Sequence, residues 1–128
     1  MRLLLDTHTF IWWFAGNARL SASARQAIAD EDNDVLISAA SAWEIATKYR
    51  ARRLPDAKGL AEDIAGHIAD ENFEGLPITV ADAALAGALQ GSLRDPFDRI
   101  LIAQALARNL VLISIETLFD QYGVRRLW

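Results

Sequence analysis

RLLLDTHTFIWWFAG, residues 2–16, opens with an unbroken apolar run, Leu3-Leu4-Leu5, that ends on an acid, Asp6, and passes into a segment with a helix-like apolar face closed by Gly16. A short continuous apolar run bounded by a polar residue reads as a strand buried on both faces. A helix-period pattern stopped by glycine reads as a helix with a left-handed C-cap. The stretch therefore predicts strand, then helix. DVLIS (34–38) repeats the strand pattern and SAWEIATKYRARR (41–53) the helix, with Ser41 and Glu44 in capping-box spacing and Glu44 in the first turn. A third strand, LVLIS (110–114), follows a helix that opens at DPFDRILIAQA (95–105). There Asp95 reads as the N-cap, Pro96 as the first helical residue and Asp98 as an acid favoured by the helix dipole. Ile100, Leu101, Ile102, Ala103, Ala105, Leu106 and Ala107 make this helix apolar nearly all round, which predicts burial.

The remaining segments fit the same alternation. LSASARQAIADEDND (20–34) predicts a helix capped by Ser21, and residues 57–71 predict one amphipathic helix after Asp56. GLPIT (75–79) predicts a short strand, Thr79 and Asp82 a capping box opening a helix that stops near Gly91, and GVRRLW (123–128) an edge strand. Strands that are continuous apolar runs and alternate with helices specify the α/β class, with a mainly parallel sheet covered on both faces. A length of 128 residues predicts one domain, residues 1–128, burying roughly two thirds of its unfolded surface.

Composition narrows the chemistry. The chain has no cysteine, which excludes disulfides and thiolate zinc sites, so a metal has to be held by oxygen or by the two histidines. Three leucines before Asp6 are too few for a signal peptide and no apolar run approaches a membrane span; a cytoplasmic, membrane-free protein is expected. A net charge of −4 argues against non-specific nucleic-acid binding by the bulk surface, and leaves room for a local basic patch.

Ligands of open parallel sheets bind beyond the carboxyl ends of the strands. Acids stand there in this chain: Asp6 after the first strand, Glu44 after the second, Glu116 after the third, and Asp98 in a helix start facing the same rim. Each also has an ordinary structural use as a cap, a capping-box member, a dipole acid or a solvated loop residue. Together they are harder to explain so, because two carboxylates about 4 Å apart repel by roughly 4 kcal/mol at an effective dielectric near 20. A divalent cation supplies the counter-charge, and oxygen donors select Mg²⁺ or Mn²⁺, as one ion or two. Such a site activates water, neutralises a scissile phosphate and steadies the leaving oxygen. Ser114, at its strand end, is placed to orient a water or an acidic ligand, or to serve as plain turn chemistry.

Four stretches in this order, LLLDTHTFIWW (3–13), ISAASAWEIATK (37–48), RDPFDRILIAQALARNLVLIS (94–114) and YGVRRLW (122–128), strongly resemble the PIN-domain ribonucleases, specifically the VapC-like toxins of bacterial toxin-antitoxin operons. The likeness runs nearly end to end. It implies a three-layer PIN-like fold with a twisted sheet, a Mg²⁺- or Mn²⁺-dependent endoribonuclease acting on RNA, with a tRNA or rRNA loop as the family-level target, and a homodimer silenced by a cognate antitoxin. By resemblance Asp6, Glu44, Asp98 and Glu116 match the four family acids. Asp98 is ranked above Asp95, which reads mainly as the cap with a direct or supporting role as the minority view. The fourth position is more often Asp; Glu116 has a longer arm suited to contact through water. Arg99 reads as a salt-bridge partner of a carboxylate or, less directly, a phosphate contact. His8 reads as a helix-start residue and His67 as solvated. Trp12, Trp13, Trp43 and Trp128 read as core or interface anchors. Lys48, Arg50, Arg52 and Arg53 read as a solvated helix end favourable to the dipole, and also as the best local patch for RNA.

Two other readings compete. A non-catalytic PIN-like scaffold that binds a partner protein needs none of the four acids. A phosphatase of the haloacid-dehalogenase type also uses an Asp after its first strand, but its usual second Asp, two places on, is His8 here.

Overall fold

The computed structural model describes residues 1–128, except for the side chain of Asp56. Its five strands are β1 (Arg2–Leu5), β2 (Asp34–Ser38), β3 (Glu74–Leu76), β4 (Val111–Ile113) and β5 (Arg125–Leu127). They form one sheet in the order β3-β2-β1-β4-β5, with every pairing parallel. The helices are α1 (Thr7–Ala15), α2 (Ala22–Ala29), α3 (Ala39–Arg50), α4 (Lys58–Glu62), α5 (Ile64–Asp70), α6 (Val80–Ala88) and α7 (Pro96–Arg108).

Alternate residues of each strand face opposite layers. Leu3, Leu5, Val35, Ile37, Val111 and Ile113 pack with Phe10 and Ile11 of α1, Ile28 of α2, Ile45 of α3 and Leu60 of α4. Leu4, Leu36 and Leu112 pack with Leu101, Ile102 and Ala105 of α7 and with Phe119. The continuous leucine run of β1 is thus buried on both sides, as expected of a central parallel strand, and the fold is the predicted α/β sandwich of sheet and helices.

Local signals set most boundaries. Gly16 closes α1 at φ 63, Ser21 Oγ accepts from Ala24 N at 3.0 Å to open α2, and Thr79 and Asp82 exchange both capping-box bonds to open α6. Four expectations are corrected. The helix expected over 57–71 starts at Lys58, after a 3₁₀ turn over Pro55–Ala57, and is broken at Asp63, whose extended backbone (φ −154, ψ 72) ends α4 while its carboxylate caps α5 through Gly66 N at 3.1 Å. The short strand is Glu74–Leu76 and not 75–79, because Pro77 has no N–H to continue the ladder. Leu106 and Ala107 on α7 are exposed, while Leu101 to Ala105 just before them are buried. His67 is not simply solvated: its Nε2 bonds the Gly59 carbonyl at 3.1 Å and its ring meets Phe14 edge-on.

Candidate active site

In the strand order β3-β2-β1-β4-β5 the chain runs outward from β1 to β3 and then returns to the other side of β1, so the topological switch lies between β1 and β4. That crevice, at the carboxyl edge, is where open α/β sheets bind ligands. Asp6 follows β1 directly and Ser114 follows β4 directly. Asp6 N extends the ladder to Ile113 O at 3.1 Å, and Thr9 Oγ1 donates to the same carbonyl at 2.9 Å, locking the two strand ends together.

Asp6 is the N-cap of α1, its Oδ1 accepting from Thr9 N at 2.8 Å, and it is 5% exposed. Burial pushes its carboxyl above the ordinary carboxylate range, against the opposing pull of the Ser114 hydroxyl and of Thr9. Ser114 itself is fully buried and its Oγ accepts from Glu116 N at 3.0 Å. Glu116 is exposed.

Glu44 is brought in by α3, whose start differs from expectation. Ser38, the last residue of β2, is the N-cap and accepts from Ala40 N at 3.0 Å; Ser41 lies inside the helix and accepts a hydrogen bond from the Thr7 hydroxyl at 3.0 Å. The Ser41–Glu44 capping box does not form, and Glu44 sits past the first turn. No cap holds it there. Glu44 is 3% exposed; its Oε2 pairs with Lys48 Nζ one turn on, and its Oε1 is buried with no hydrogen-bond partner. Lys48, grouped by sequence with the RNA patch, is therefore engaged at the acidic rim. The i,i+4 order Glu-then-Lys is the sequence signal that points to this pair. Arg50, Arg52 and Arg53 are exposed where α3 ends, Arg50 roughly 9 Å farther along the helix axis than Glu44 and Arg52 at φ 59 in the turn that follows.

Asp98 stands in the first turn of α7, behind the Asp95 cap, whose Oδ1 accepts from Phe97 N at 2.9 Å and Asp98 N at 3.3 Å. Burial pushes the Asp98 carboxyl up to about 7, helped in decreasing order by the charges of Asp95, Glu44, Asp6 and Glu116. Asp95, Glu44, Asp6 and Glu116 thus all bear on the one Asp98 carboxyl. Arg99 does not neutralise them. Its Nε donates to Ala86 O at 2.9 Å, its Nη1 to Leu93 O at 2.7 Å and its Nη2 to Leu89 O, so it ties the end of α6 and the following loop to α7. The expected carboxylate or phosphate contact of Arg99 is replaced by three carbonyls, because the residue after Asp98 on a helix points to a different face.

The oxygen-only donor set and the orphaned Glu44 Oε1 fit a hard divalent cation. Among the described residues no three His, Cys, Asp or Glu side chains already stand at ligating distance of a common point. His8 is exposed beside Asp6 with its ring on Trp12, and Trp43, 61% exposed, meets Phe97 edge-on across the rim.

Comparisons with known proteins identify the family and the fold. The PIN domain family model matches residues 3–124. Ribonuclease VapC22 of Mycobacterium tuberculosis (strain ATCC 25618 / H37Rv) is 33% identical over 116 residues, covering 88% of this chain and 85% of the relative. Among solved structures, VapBC2 from Rickettsia felis bound to a DNA fragment from its promoter superposes with TM-score 0.72 at 14% identity, covering 99% of this chain and 98% of that one. Mycobacterium tuberculosis VapC20, a sarcin-ricin loop cleaving toxin, gives 0.69 at 17% identity with 95% of each chain covered. VapBC-1 from nontypeable Haemophilus influenzae gives 0.68 at 16%, covering 99% of this chain and 97% of that one. At these identities the structures speak to the fold alone.

Proposed function

From the premise that this chain belongs to the PIN-domain family of VapC ribonucleases, we propose that it is a Mg²⁺- or Mn²⁺-dependent endoribonuclease, the toxin of a toxin-antitoxin pair. What supports this reading is that the charges of Asp95, Glu44, Asp6 and Glu116 all bear on the Asp98 carboxyl, and that one buried Glu44 oxygen has no hydrogen-bond partner. Asp6, Glu44 and Asp98 would hold the ion, Glu116 would contact it through water, and Asp95 remains a cap whose charge adds to the rim. When bound, the ion supplies charge neutralisation at the scissile phosphodiester and activation of the attacking water.

The chain's own residues do the positioning. The Thr9 amide orients Asp6, and the Asp95 cap fixes the turn that carries Asp98. Arg50, Arg52 and Arg53 offer exposed cations to the RNA backbone at the end of α3. A cognate antitoxin, a homodimer and a cytoplasmic location complete the proposal. Among the described residues no helix is long and apolar enough to cross a membrane.

Purified protein incubated with total RNA and Mn²⁺, followed by sequencing of the new ends, tests it. Discrete cleavage that needs the metal and is lost in Asp98→Asn is expected. Absence of Mn²⁺-dependent cleavage in any RNA, with a calorimetrically silent metal titration, would leave a scaffold that binds partners only.

A further inference from the structure

Glu44 is the most buried acid of the rim and already has a cation, the ammonium of Lys48, on one of its two oxygens. The other described ion pairs lie elsewhere, on Asp82 and Asp120, and Arg99 is turned to carbonyls. Lys48 is therefore the one lysine or arginine among the described residues that pairs with this cluster. We propose that Lys48 is a resident counter-cation of the metal site: it holds Glu44 in place while the site is empty of metal and is displaced when a divalent cation takes Glu44. This rests on the metal-site reading given above and adds to it an internal competitor that sets the metal concentration at which the site loads.

The physical basis is direct. The ammonium and a divalent ion both need the Glu44 carboxylate, and two cations sharing one buried carboxylate repel across a region of low dielectric. Lys48 is placed to leave: its stem lies along α3 and its head is partly open to water, so the freed ammonium can be hydrated without unfolding anything. Glu44 stays behind, its side chain buried on α3 one turn after Ser41, which the Thr7 hydroxyl bonds. By linkage, the factor by which metal weakens the Lys48–Glu44 pair equals the factor by which Lys48 weakens metal binding.

The chain contains only two lysines, Lys48 and Lys58, and Lys58 is exposed on α4, so it serves as an internal reference. Wild-type protein at pH 8 is acylated with an amine-reactive acetyl ester, with and without millimolar Mn²⁺, and the two sites are quantified by mass spectrometry. Lys48 is expected to react several-fold faster with Mn²⁺ while Lys58 is unchanged. In parallel, calorimetric Mn²⁺ titration is expected to show roughly tenfold tighter binding in Lys48→Gln and unaltered binding in Lys58→Gln. Should Lys48→Gln fail to fold, the wild-type acylation ratio decides alone. If Mn²⁺ binds the wild type but leaves Lys48 reactivity unchanged, or if Lys48→Gln binds no tighter, the counter-cation is overturned and the metal site stands. If neither wild type nor Lys48→Gln binds Mn²⁺, the metal-site reading itself fails and takes this inference with it.

Discussion

The Trp43 ring meets the Phe97 ring edge-on, centroids 4.8 Å apart and planes at 76°, and each aromatic immediately precedes a rim acid: Glu44 on α3 and Asp98 on α7. The contact ties two helices that approach the sheet edge from different parts of the chain. Trp43 is 61% exposed, so its truncation removes little buried area. Trp43→Ala is expected to cost less than about 1.5 kcal/mol of stability yet to weaken Mn²⁺ binding by about tenfold, the usual penalty for loosening the support of metal ligands. Urea denaturation and calorimetry on the same variant separate the two effects, and a loss of stability with unchanged affinity would show the ring pair to be packing only.

Asp6 has two duties that one substitution can separate. Asparagine is as good an N-cap as aspartate, so Asp6→Asn keeps the bond to Thr9 N; alanine loses it. Because burial already disfavours the charge of Asp6, Asp6→Asn is expected to be at least as stable as wild type, whereas Asp6→Ala loses about 1 kcal/mol. Both are expected to lower RNA cleavage by at least about 100-fold. An active, stable Asp6→Asn protein would leave Asp6 as a cap and nothing more.

The Asp98 carboxyl, pushed up to about 7 by burial and its acidic neighbours, has its pKa raised on folding from an ordinary 3.8. Between those values the folded chain binds more protons than the unfolded one, so its metal-free stability falls as pH rises from about 4 to about 7. A cation needs the deprotonated form, so the rise in Tm caused by Mn²⁺ should be small at pH 5.5 and larger at pH 8. Asp98→Asn should flatten the metal-free pH dependence and raise Tm at pH 8 by about 2–6 °C. Thermal scans with and without Mn²⁺ across this range check both statements. An unchanged pH profile in Asp98→Asn would mean that Asp98 ionises freely in the fold.

Arg108 grips Asp82 with both arms, Nη1 to Oδ1 at 2.9 Å and Nη2 to Oδ2 at 3.0 Å, across the seam between α6 and α7. The hydrogen bonds from Arg108, more than any other influence, hold the Asp82 carboxyl well below the usual range. That contribution is present above the ordinary pKa near 4 and is lost as pH falls below it. Arg108→Met leaves a buried carboxylate with Gln104, Thr79 and no cation, at an expected cost of about 2–3 kcal/mol. The difference from wild type should shrink in urea melts below about pH 3.5, and a constant difference across pH would assign the loss to packing of the Arg108 stem.

Much of this fold could be read along the chain because its signals are local. Leu3-Leu4-Leu5 and Val35-Leu36-Ile37 are apolar on every residue since both sheet faces are covered, and Ser21, Thr79 and Asp95 cap the helices that directly follow them. The errors fall where two local signals compete. Ser38 and Ser41 can each cap a helix, and Ser38 does so because β2 ends on it, with no intervening turn. Asp63 lies inside an apparently continuous amphipathic pattern, and its capping of Gly66 outweighs continuation of the helix. In the candidate site the acids at strand ends were legible from position alone. The partners of Lys48 and Arg99 were not read, although Glu44 and Lys48 stand at helical spacing.

Apolar periodicity and the residues after each run carry the layer order and the acidic edge, since burial on a given face is repeated at every turn or every second residue and sums over whole elements. Whether Arg99 meets a carboxylate or three carbonyls, and whether Glu44 meets a cap or an ammonium, depends on single contacts that differ by about a kilocalorie. Such choices are made by where β1, α3, α6 and α7 come to rest against one another. Packing of the two cores sets those positions, and with them the pairing of Lys48 with Glu44 and the crowding that lifts Asp98.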